Sequence, residues 1–185
     1  IVTRHMIKNT SKTSEFDHFE TLADEWWDPD GKFKILHTLT PLRISYIKKK
    51  LFDKKYSKKS LSNFNILDLG CGGGLVCEPL ARLGANITGI DFVKQNIIAA
   101  KKHAKKSNTN IEYLHQDINN LKFKKKFDAV LILEVLEHIE DWKKIIINVK
   151  KILKPKGKII ISTINRNFFS KLFAIFIAEN ILNWV

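Results

Sequence analysis

A glycine-rich loop between an apolar run and a helical pattern constrains the fold of this chain more than any other feature. Its letters are DLGCGGG at residues 68–74, and the apolar run at residues 65–69 leads directly into it. Glycines let the backbone turn tightly and approach a ligand, and the first turn of a following helix offers unpaired N–H groups. The sequence therefore predicts a strand–loop–helix unit that binds a small molecule.

Short apolar runs and helical stretches alternate along the rest of the chain. Strands are predicted at residues 65–69, 86–90, 111–115, 128–133 and 158–163, and helices at residues 75–83, 94–106 and 141–153. This alternation predicts an α/β fold with a doubly wound, mostly parallel sheet and helices on both faces. Ligands bind to such sheets at the carboxyl ends of the strands.

The 185 residues are enough for one ordinary domain with an extension. We predict a loose segment at residues 1–13, a helical extension and connector at 14–63, the ligand-binding core at 64–167 and an apolar helix at 168–185. In the extension, apolar residues at three- and four-residue steps predict a helix over 15–27, followed by a turn at 28–31. A second helix is predicted to begin with Thr40 as N-cap and Pro41 in its first turn, and to end near residue 52.

The formal net charge of +13 comes mainly from lysine. Lysine clusters attract anionic surfaces, but the lysine runs lack the interleaved aromatic residues and the motifs of nucleic-acid binders. A drift of surface positions toward lysine explains the charge equally well, so no specific nucleic-acid partner is expected. The two cysteines, Cys71 and Cys77, cannot complete a zinc site and fit a reducing compartment, so we expect a cytoplasmic protein.

The identity of the ligand depends on the glycine spacing. Asp91 closes the second predicted strand, where a carboxylate can accept both ribose hydroxyls of a nucleoside. A dinucleotide fingerprint beginning at Gly70 would need glycine where Leu75 stands. The observed G-x-G-x-G with Asp68 before it is typical of methyltransferases, whose cofactor S-adenosylmethionine has an ammonium and a sulfonium instead of a pyrophosphate. Asp68, Gly70, Gly72 and Asp91 are therefore predicted cofactor-binding residues.

Two further positions follow the third and fourth predicted strands. Asp117 is placed to contact the adenine, although it could equally be a turn residue. Leu133 ends the fourth strand, beside the expected position of the methionine part of the cofactor.

The segment LEVLEH at residues 133–138 brings acidic and imidazole groups together. On a helical turn, Glu134, Glu137 and His138 would share one face. They could bind a divalent metal ion, or His138 with Glu134 could act as a catalytic base. A solvated or helix-capping turn is the simpler alternative.

At this point the chain resembles the ubiquinone biosynthesis O-methyltransferase family of class I, Rossmann-like methyltransferases. The glycine loop indicates only the class, whereas the double tryptophan and the STINRN run narrow the resemblance to this family. The matching runs lie at residues 16–28, 31–37, 41–43, 67–74, 89–91, 134–138, 153–155 and 162–167.

The resemblance implies S-adenosylmethionine-dependent methylation of phenol or catechol hydroxyls on polyprenylated ubiquinone precursors. Arg43, Gly70, Asp91 and Leu133 match cofactor-binding positions of the family, and Arg43 would suit the carboxylate of the cofactor. Glu134, Glu137 and His138 match positions that hold Mg²⁺ in some members. The family sheet has seven strands, so the last two are predicted to be absent from this chain.

A polyprenylated phenol or quinol substrate partitions into membranes. We therefore expect association with the cytoplasmic face of a bacterial membrane rather than a mitochondrial one, through the apolar helix at 168–185. That helix could instead pack on the core of the protein. Other ubiquinone-biosynthesis enzymes are expected partners. Methylation of another small phenol or amine, a nicotinamide enzyme and an inactive cofactor-binding remnant remain alternatives.

Overall fold

The computed structural model describes residues 25–52 and 60–163. Five strands and four α-helices follow each other along this part of the chain, with one short 3₁₀ turn at Leu136–His138. The strands are β1 (Asn65–Leu69), β2 (Asn86–Asp91), β3 (Glu112–His115), β4 (Phe127–Leu133) and β5 (Leu153–Ser162), and the helices are α1 (Lys34–Leu51), α2 (Cys77–Arg82), α3 (Lys94–Lys106) and α4 (Trp142–Ile152).

The strands form a single parallel sheet in the order β3-β2-β1-β4-β5. This confirms the predicted doubly wound α/β fold. The chain moves outward from β1 through β2 to β3, and then returns to the other side of β1 with β4. A crevice opens at such a reversal of strand order, at the carboxyl ends of the strands. The loops after β1, β2 and β4 therefore meet at one edge of the sheet.

Alternate residues of each central strand point to opposite faces of the sheet, and a hydrophobic core covers each face. On one face, Ile66 and Leu131 belong to the core cluster that includes Ile47 of α1 and Leu80 of α2. On the other face, strand residues pack against α4, whose buried positions recur at helical spacing. That second core contains Leu67, Leu69, Val130, Ile132, Ile145, Ile146 and Val149. Burial on both faces explains why the central strand β4 is an almost continuous apolar run.

Helix α1 begins at Lys34, well before the predicted start at Thr40 and Pro41, so that prediction is wrong. Thr40 caps nothing; its Oγ1 donates to Leu36 O over 2.7 Å within the helix. Pro41 lies inside the helix, where it provides no N–H for the carbonyl of the preceding turn. Packing of α1 on the core through Ile47 and Leu51 outweighs this loss.

The other predicted boundaries differ by a few residues. The first strand and the helix at 94–106 have the predicted limits, and β5 begins at Leu153 rather than at residue 158. The early part of β5 is paired across an irregularity between Phe127 and Ala129 of β4. Residues 154–157, which include Pro155 and Gly157, lie between the pairs Phe127–Leu153 and Ala129–Lys158 on either side of that irregularity.

Several predictions fall partly or wholly on residues outside the described ranges. These are the loose segment at 1–13, most of the helix at 15–27 and the apolar helix at 168–185. The turn at 28–31 is confirmed, because Gly31 N donates to Asp28 O over 3.2 Å. The lack of two further strands stays a prediction. Among the described helices, none is long and apolar enough to cross a membrane.

Candidate cofactor and active site

The glycine loop leaves β1 at the edge of the sheet where the parallel strands end. Gly70 N and Cys71 N both donate to Ile90 O of β2, over 2.8 and 3.0 Å. Gly70 has a φ of +73°, and a Cβ at this position would lie 2.4 Å from Cγ2 of Val135. Conformation and space therefore both require glycine here. The loop is a tight turn held against the second strand.

The carboxylate of Asp91 faces this loop from the end of β2. Its Oδ2 accepts from Gly72 N over 2.9 Å, and its Oδ1 accepts from Val93 N over 2.9 Å and from Asn96 Nδ2 over 3.3 Å. Burial raises the pKa of Asp91, and these three N–H donors oppose the rise. An ionised carboxylate has about four acceptor positions. Asp91 is therefore oriented by the protein while keeping capacity to accept ligand hydroxyls.

Asp68 lies in β1 below the loop and is 3% exposed. Burial raises the pKa of this carboxyl group to about 7; the hydrogen bond from Cys77 and the positive charge of Arg43 oppose the rise. Cys77 Sγ donates to Asp68 Oδ2 over 3.2 Å. A cationic ligand group beside Asp68 would favour its ionised form.

Arg43 reaches the same region from α1. Its Nη2 donates to Oε1 of Glu134 over 2.6 Å, and Ser162 Oγ donates to the same oxygen over 2.8 Å. The Arg43 and Glu134 side chains are 13% and 17% exposed. Exposed ion pairs contribute little to stability, but this pair is largely shielded from solvent. Its hydrogen bond therefore holds the guanidinium beside the cavity.

Glu134, Glu137 and His138 do not share a helical face, contrary to the prediction. Glu134 precedes the 3₁₀ turn and has a φ of +56°, in the left-handed region, so the chain changes direction at this residue. Burial raises the pKa of Glu137, and the negative charge of Glu134 adds to the rise. Within residues 25–52 and 60–163, no group of three or more His, Cys, Asp or Glu side chains could hold a metal ion. The geometry therefore does not support the predicted Mg²⁺ site.

A cavity of about 730 Å³ joins these elements. This volume is typical of small-molecule sites. Every predicted catalytic and cofactor-binding residue lines it; of the three predicted metal ligands, Glu137 is absent from the described lining. The predicted residues that line the cavity are Arg43, Asp68, Gly70, Gly72, Asp91, Asp117, Leu133, Glu134 and His138.

Asp117 has a structural role that the sequence left open. Its Oδ1 accepts from Asn119 N over 2.8 Å and from Asn119 Nδ2 over 2.9 Å, and Asn120 N donates to Asp117 O over 3.0 Å. Asp117 thus holds its own turn at the rim of the cavity. A contact with adenine stays a prediction.

The cavity also contains residues that the sequence interpretation did not assign to it. Trp26 and Phe33 line it from the extension, with their rings stacked 3.9 Å apart. Phe92 lines it directly after Asp91 and is 39% exposed. Asn96 lines it from the first turn of α3. Phe92 could have been assigned from the sequence, because it directly follows Asp91, the predicted ribose-binding carboxylate. Trp26 reaches the cavity only through tertiary packing.

Comparison with known proteins agrees with this geometry. The family model of a methyltransferase domain matches residues 67–161, from β1 into β5. The ubiquinone biosynthesis O-methyltransferase of Pelagibacter ubique is 46% identical over 180 residues, which are 96% of this chain and 75% of that protein. The enzyme of the same name from Bartonella tribocorum is 43% identical over 96% of this chain and 74% of its own length.

Two solved structures share the architecture. The N-methyltransferase NodS from Bradyrhizobium japonicum, in complex with S-adenosyl-l-homocysteine, has a TM-score of 0.59 at 25% identity, covering 80% of this chain and 70% of its own. The magnesium protoporphyrin IX methyltransferase of Synechocystis has a TM-score of 0.67 at 21% identity, covering 89% and 77%, and shows likeness of fold. At 46% and 43% identity over 96% of this chain, and with the methyltransferase domain model matched, the two sequence relatives show that the chain belongs to the ubiquinone biosynthesis O-methyltransferase family of S-adenosylmethionine-dependent enzymes.

Proposed function

We propose that this chain transfers a methyl group from S-adenosylmethionine to a phenol or catechol hydroxyl of a polyprenylated ubiquinone precursor. One observation carries the proposal. Asp91, Asp68 and Arg43 line a single cavity at the carboxyl ends of the strands, and their charges suit the three polar parts of this cofactor. The names of the sequence relatives support the substrate class.

Each end of the cofactor has a suitable group in the cavity. The Asp91 carboxylate would accept the ribose hydroxyls, and the exposed ring of Phe92 beside it offers a flat surface for the adenine. Asp68 would face the ammonium group. Arg43 would bind the carboxylate, because a guanidinium forms paired hydrogen bonds with it. The residues present therefore fit S-adenosylmethionine.

The bound cofactor would supply an electrophilic methyl group on its sulfonium, so the protein must help the phenol to lose its proton. A phenol with a pKa near 10 is about 0.1% ionised at pH 7, which corresponds to a cost of about 4 kcal/mol. His138 lines the cavity and is the proposed general base. Glu134 was also predicted as catalytic. Because its Oε1 accepts from Arg43 and Ser162, the structure favours a role in orienting Arg43.

We further propose that the chain works at the cytoplasmic face of a membrane, since the substrate tail is lipid-soluble. On α1, Ile35, Leu42 and Tyr46 are 66%, 68% and 52% exposed. They lie on one side of the helix, and Lys49 and Lys50 follow in its last turn. Apolar side chains flanked by lysines suit an anionic lipid surface. We expect the chain to sediment with phosphatidylglycerol vesicles but not with phosphatidylcholine vesicles, and we expect the variant L42S/Y46S to lose this binding. Equal binding by the variant would contradict the membrane proposal.

Methyl transfer from tritium-labelled S-adenosylmethionine tests the reaction. Label should enter a demethylated polyprenyl quinol, and His138→Gln should slow this transfer about 100-fold or more while cofactor binding is retained. Label entering only a soluble phenol or an amine would contradict the polyprenyl substrate. Cofactor binding with no turnover on any acceptor would indicate an inactive chain.

A further inference from the structure

The third donor to Asp91 is a side chain, which distinguishes it from the other two. Gly72 N and Val93 N are backbone groups, and every sequence with this loop would supply them. Asn96 Nδ2 reaches Asp91 Oδ1 over 3.3 Å, and Asn96 is only 3% exposed. The orientation of the buried Asn96 amide therefore decides whether Asp91 has its third hydrogen-bond donor.

That amide is oriented by a tryptophan from the N-terminal extension. Trp26 Nε1 donates to Asn96 Oδ1 over 2.9 Å. An indole N–H can only donate, so the oxygen of the Asn96 amide must face Trp26 and the NH₂ group must face Asp91. The result is a directional relay from Trp26 through Asn96 to Asp91, in which each side chain fixes the next.

Packing holds Trp26 in place. Its ring is stacked on Phe33, with the ring planes 6° apart, and it lies over the glycine loop so closely that a Cβ at Gly72 or Gly73 would come within 2.4 Å of it. Its carbonyl oxygen lies 2.9 Å from Nε2 of His37 in α1. Trp26 is 8% exposed. The relay therefore begins at a rigid anchor.

The neighbouring tryptophan provides a natural comparison. Trp27 Nε1 donates to Gly73 O over 2.8 Å, and its ring is stacked 3.4 Å from that of His103. Trp27 therefore also packs on the glycine loop with a partly buried indole hydrogen bond, but its bond leads to the backbone and not to Asp91.

We propose that Trp26 and Asn96 are positioning residues of the cofactor site, which hold the Asp91 carboxylate in the orientation that accepts the ribose hydroxyls. This rests on the proposed role of Asp91. If the relay is broken, Asp91 keeps one backbone donor on each oxygen but loses the side-chain donor on Oδ1, so its carboxylate is held less firmly. Ligands that bind through the ribose hydroxyls should then lose more affinity than ligands that lack them.

Titration calorimetry of the full chain with S-adenosylhomocysteine and with its 2′,3′-dideoxy analogue tests this proposal. Trp26→Phe keeps an aromatic ring on Phe33 but removes the indole N–H together with part of the ring system, a loss of size that the Trp27→Phe control shares. Asn96→Leu removes the amide at similar size. Each should weaken S-adenosylhomocysteine binding about tenfold, the range of one hydrogen bond to a charged group. The affinity of the dideoxy analogue should change less than twofold. The matched control, Trp27→Phe, should change neither ligand by more than about twofold.

The outcomes separate the relay from general packing and from the role of Asp91. Equal losses for both ligands, or equal losses in Trp26→Phe and Trp27→Phe, would overturn the relay. If Asn96→Leu does not fold, the comparison of the two tryptophan variants decides alone. Asp91→Asn tests the proposed function separately. If Asp91→Asn binds as tightly as the natural chain, the ribose role of Asp91 is wrong; if it loses binding while Trp26→Phe does not, only the relay is wrong.

Discussion

The two ends of the cavity are built in different ways. At the glycine-loop end, formed by Gly70, Gly72 and Asp91, backbone N–H groups of adjacent strands and loops hold the carboxylate. At the arginine end, formed by Arg43, Glu134 and His138, the central contact joins two side chains that are 91 positions apart in sequence. The first end follows from the sheet and its loop, whereas the second depends on how α1 packs. Substitutions should therefore act differently at the two ends.

The largest effect is expected at the glycine-loop end. Gly70→Ala would place a Cβ 2.4 Å from Val135 Cγ2 in a residue with a φ of +73°. We expect the free energy of unfolding to fall by about 2–4 kcal/mol and cofactor binding to be lost, because overpacking adds to the backbone strain. Urea unfolding and calorimetry with S-adenosylhomocysteine measure the two effects.

The double variant G70A/V135A separates the two causes of that effect. Removing the Val135 methyl groups relieves the close contact, so part of the stability should return, and a deficit of about 1–2 kcal/mol from the left-handed conformation should remain. An unchanged loss in the double variant would show that the contact with Val135 is unimportant.

A smaller effect is expected at the arginine end. Arg43→Gln should weaken S-adenosylhomocysteine binding about tenfold, because a hydrogen bond to a charged group is lost. Glu134→Gln should weaken it less, since Arg43 is still present but less firmly held. The double variant should bind no more weakly than Arg43→Gln, because the two residues act through one contact. Strictly additive losses would contradict the orienting role of Glu134.

Lys34→Gln is the control for the arginine end. Lys34 belongs to the same helix and pairs with Asp30, but both side chains are mostly exposed. An exposed pair contributes little, so cofactor affinity should stay within about twofold of the natural value.

Asp68 predicts a pH dependence of stability. Burial raises its pKa to about 7 from the usual 3.8, so the folded chain keeps a proton that the unfolded chain releases between these values. This contribution to stability is present below pH 3.8 and is lost as the pH rises through about 7. Asp68→Asn, which stays neutral, should therefore melt at a higher temperature than the natural chain at pH 8. The difference should vanish near pH 4, and a constant difference at all pH values would contradict this explanation.

The smallest effect is expected for Asp117. Its Oδ1 is engaged with Asn119 in an exposed turn. Asp117→Ala should lower the free energy of unfolding by less than about 1 kcal/mol and leave cofactor affinity within about threefold. A loss comparable with that of Arg43→Gln would favour the adenine contact that the sequence also allowed.

The sequence predicted the glycine-loop end well, because its determinants are local. The spacing of the glycines and the position of Asp91 after the second strand are visible in a single chain, and a parallel sheet necessarily brings the two loops together. The strand order then confirmed the fold. Asn96 and Trp26 could not be assigned, since nothing local in the extension signals that one of its tryptophans will lie over a loop more than forty residues later.

The arginine end was predicted only in part. The family resemblance identified Arg43, the segment LEVLEH had already pointed to Glu134 and His138, and all three line the cavity. The arrangement of residues 134–138 was wrong, because a continuous helical turn was assumed where Glu134 has a left-handed backbone conformation. Such a conformation is rare in residues other than glycine, and the sequence pattern did not indicate it. The predicted metal site rested on that assumed helical face as well as on the family resemblance, and within the described residues no group of three such side chains is placed to hold a metal ion.

Whether this cavity holds the cofactor through Asp91 is best decided by calorimetric titration of the natural chain and of Asp91→Asn with S-adenosylhomocysteine. The substitution keeps the shape of the side chain and removes its charge, so thermal unfolding should show that the variant is folded. We expect micromolar binding by the natural chain and a loss of about a hundredfold in the variant, because hydrogen bonds to a charged acceptor are lost. No binding by a folded natural chain, or equal binding by the variant, would contradict the claim that this cavity holds S-adenosylmethionine through Asp91.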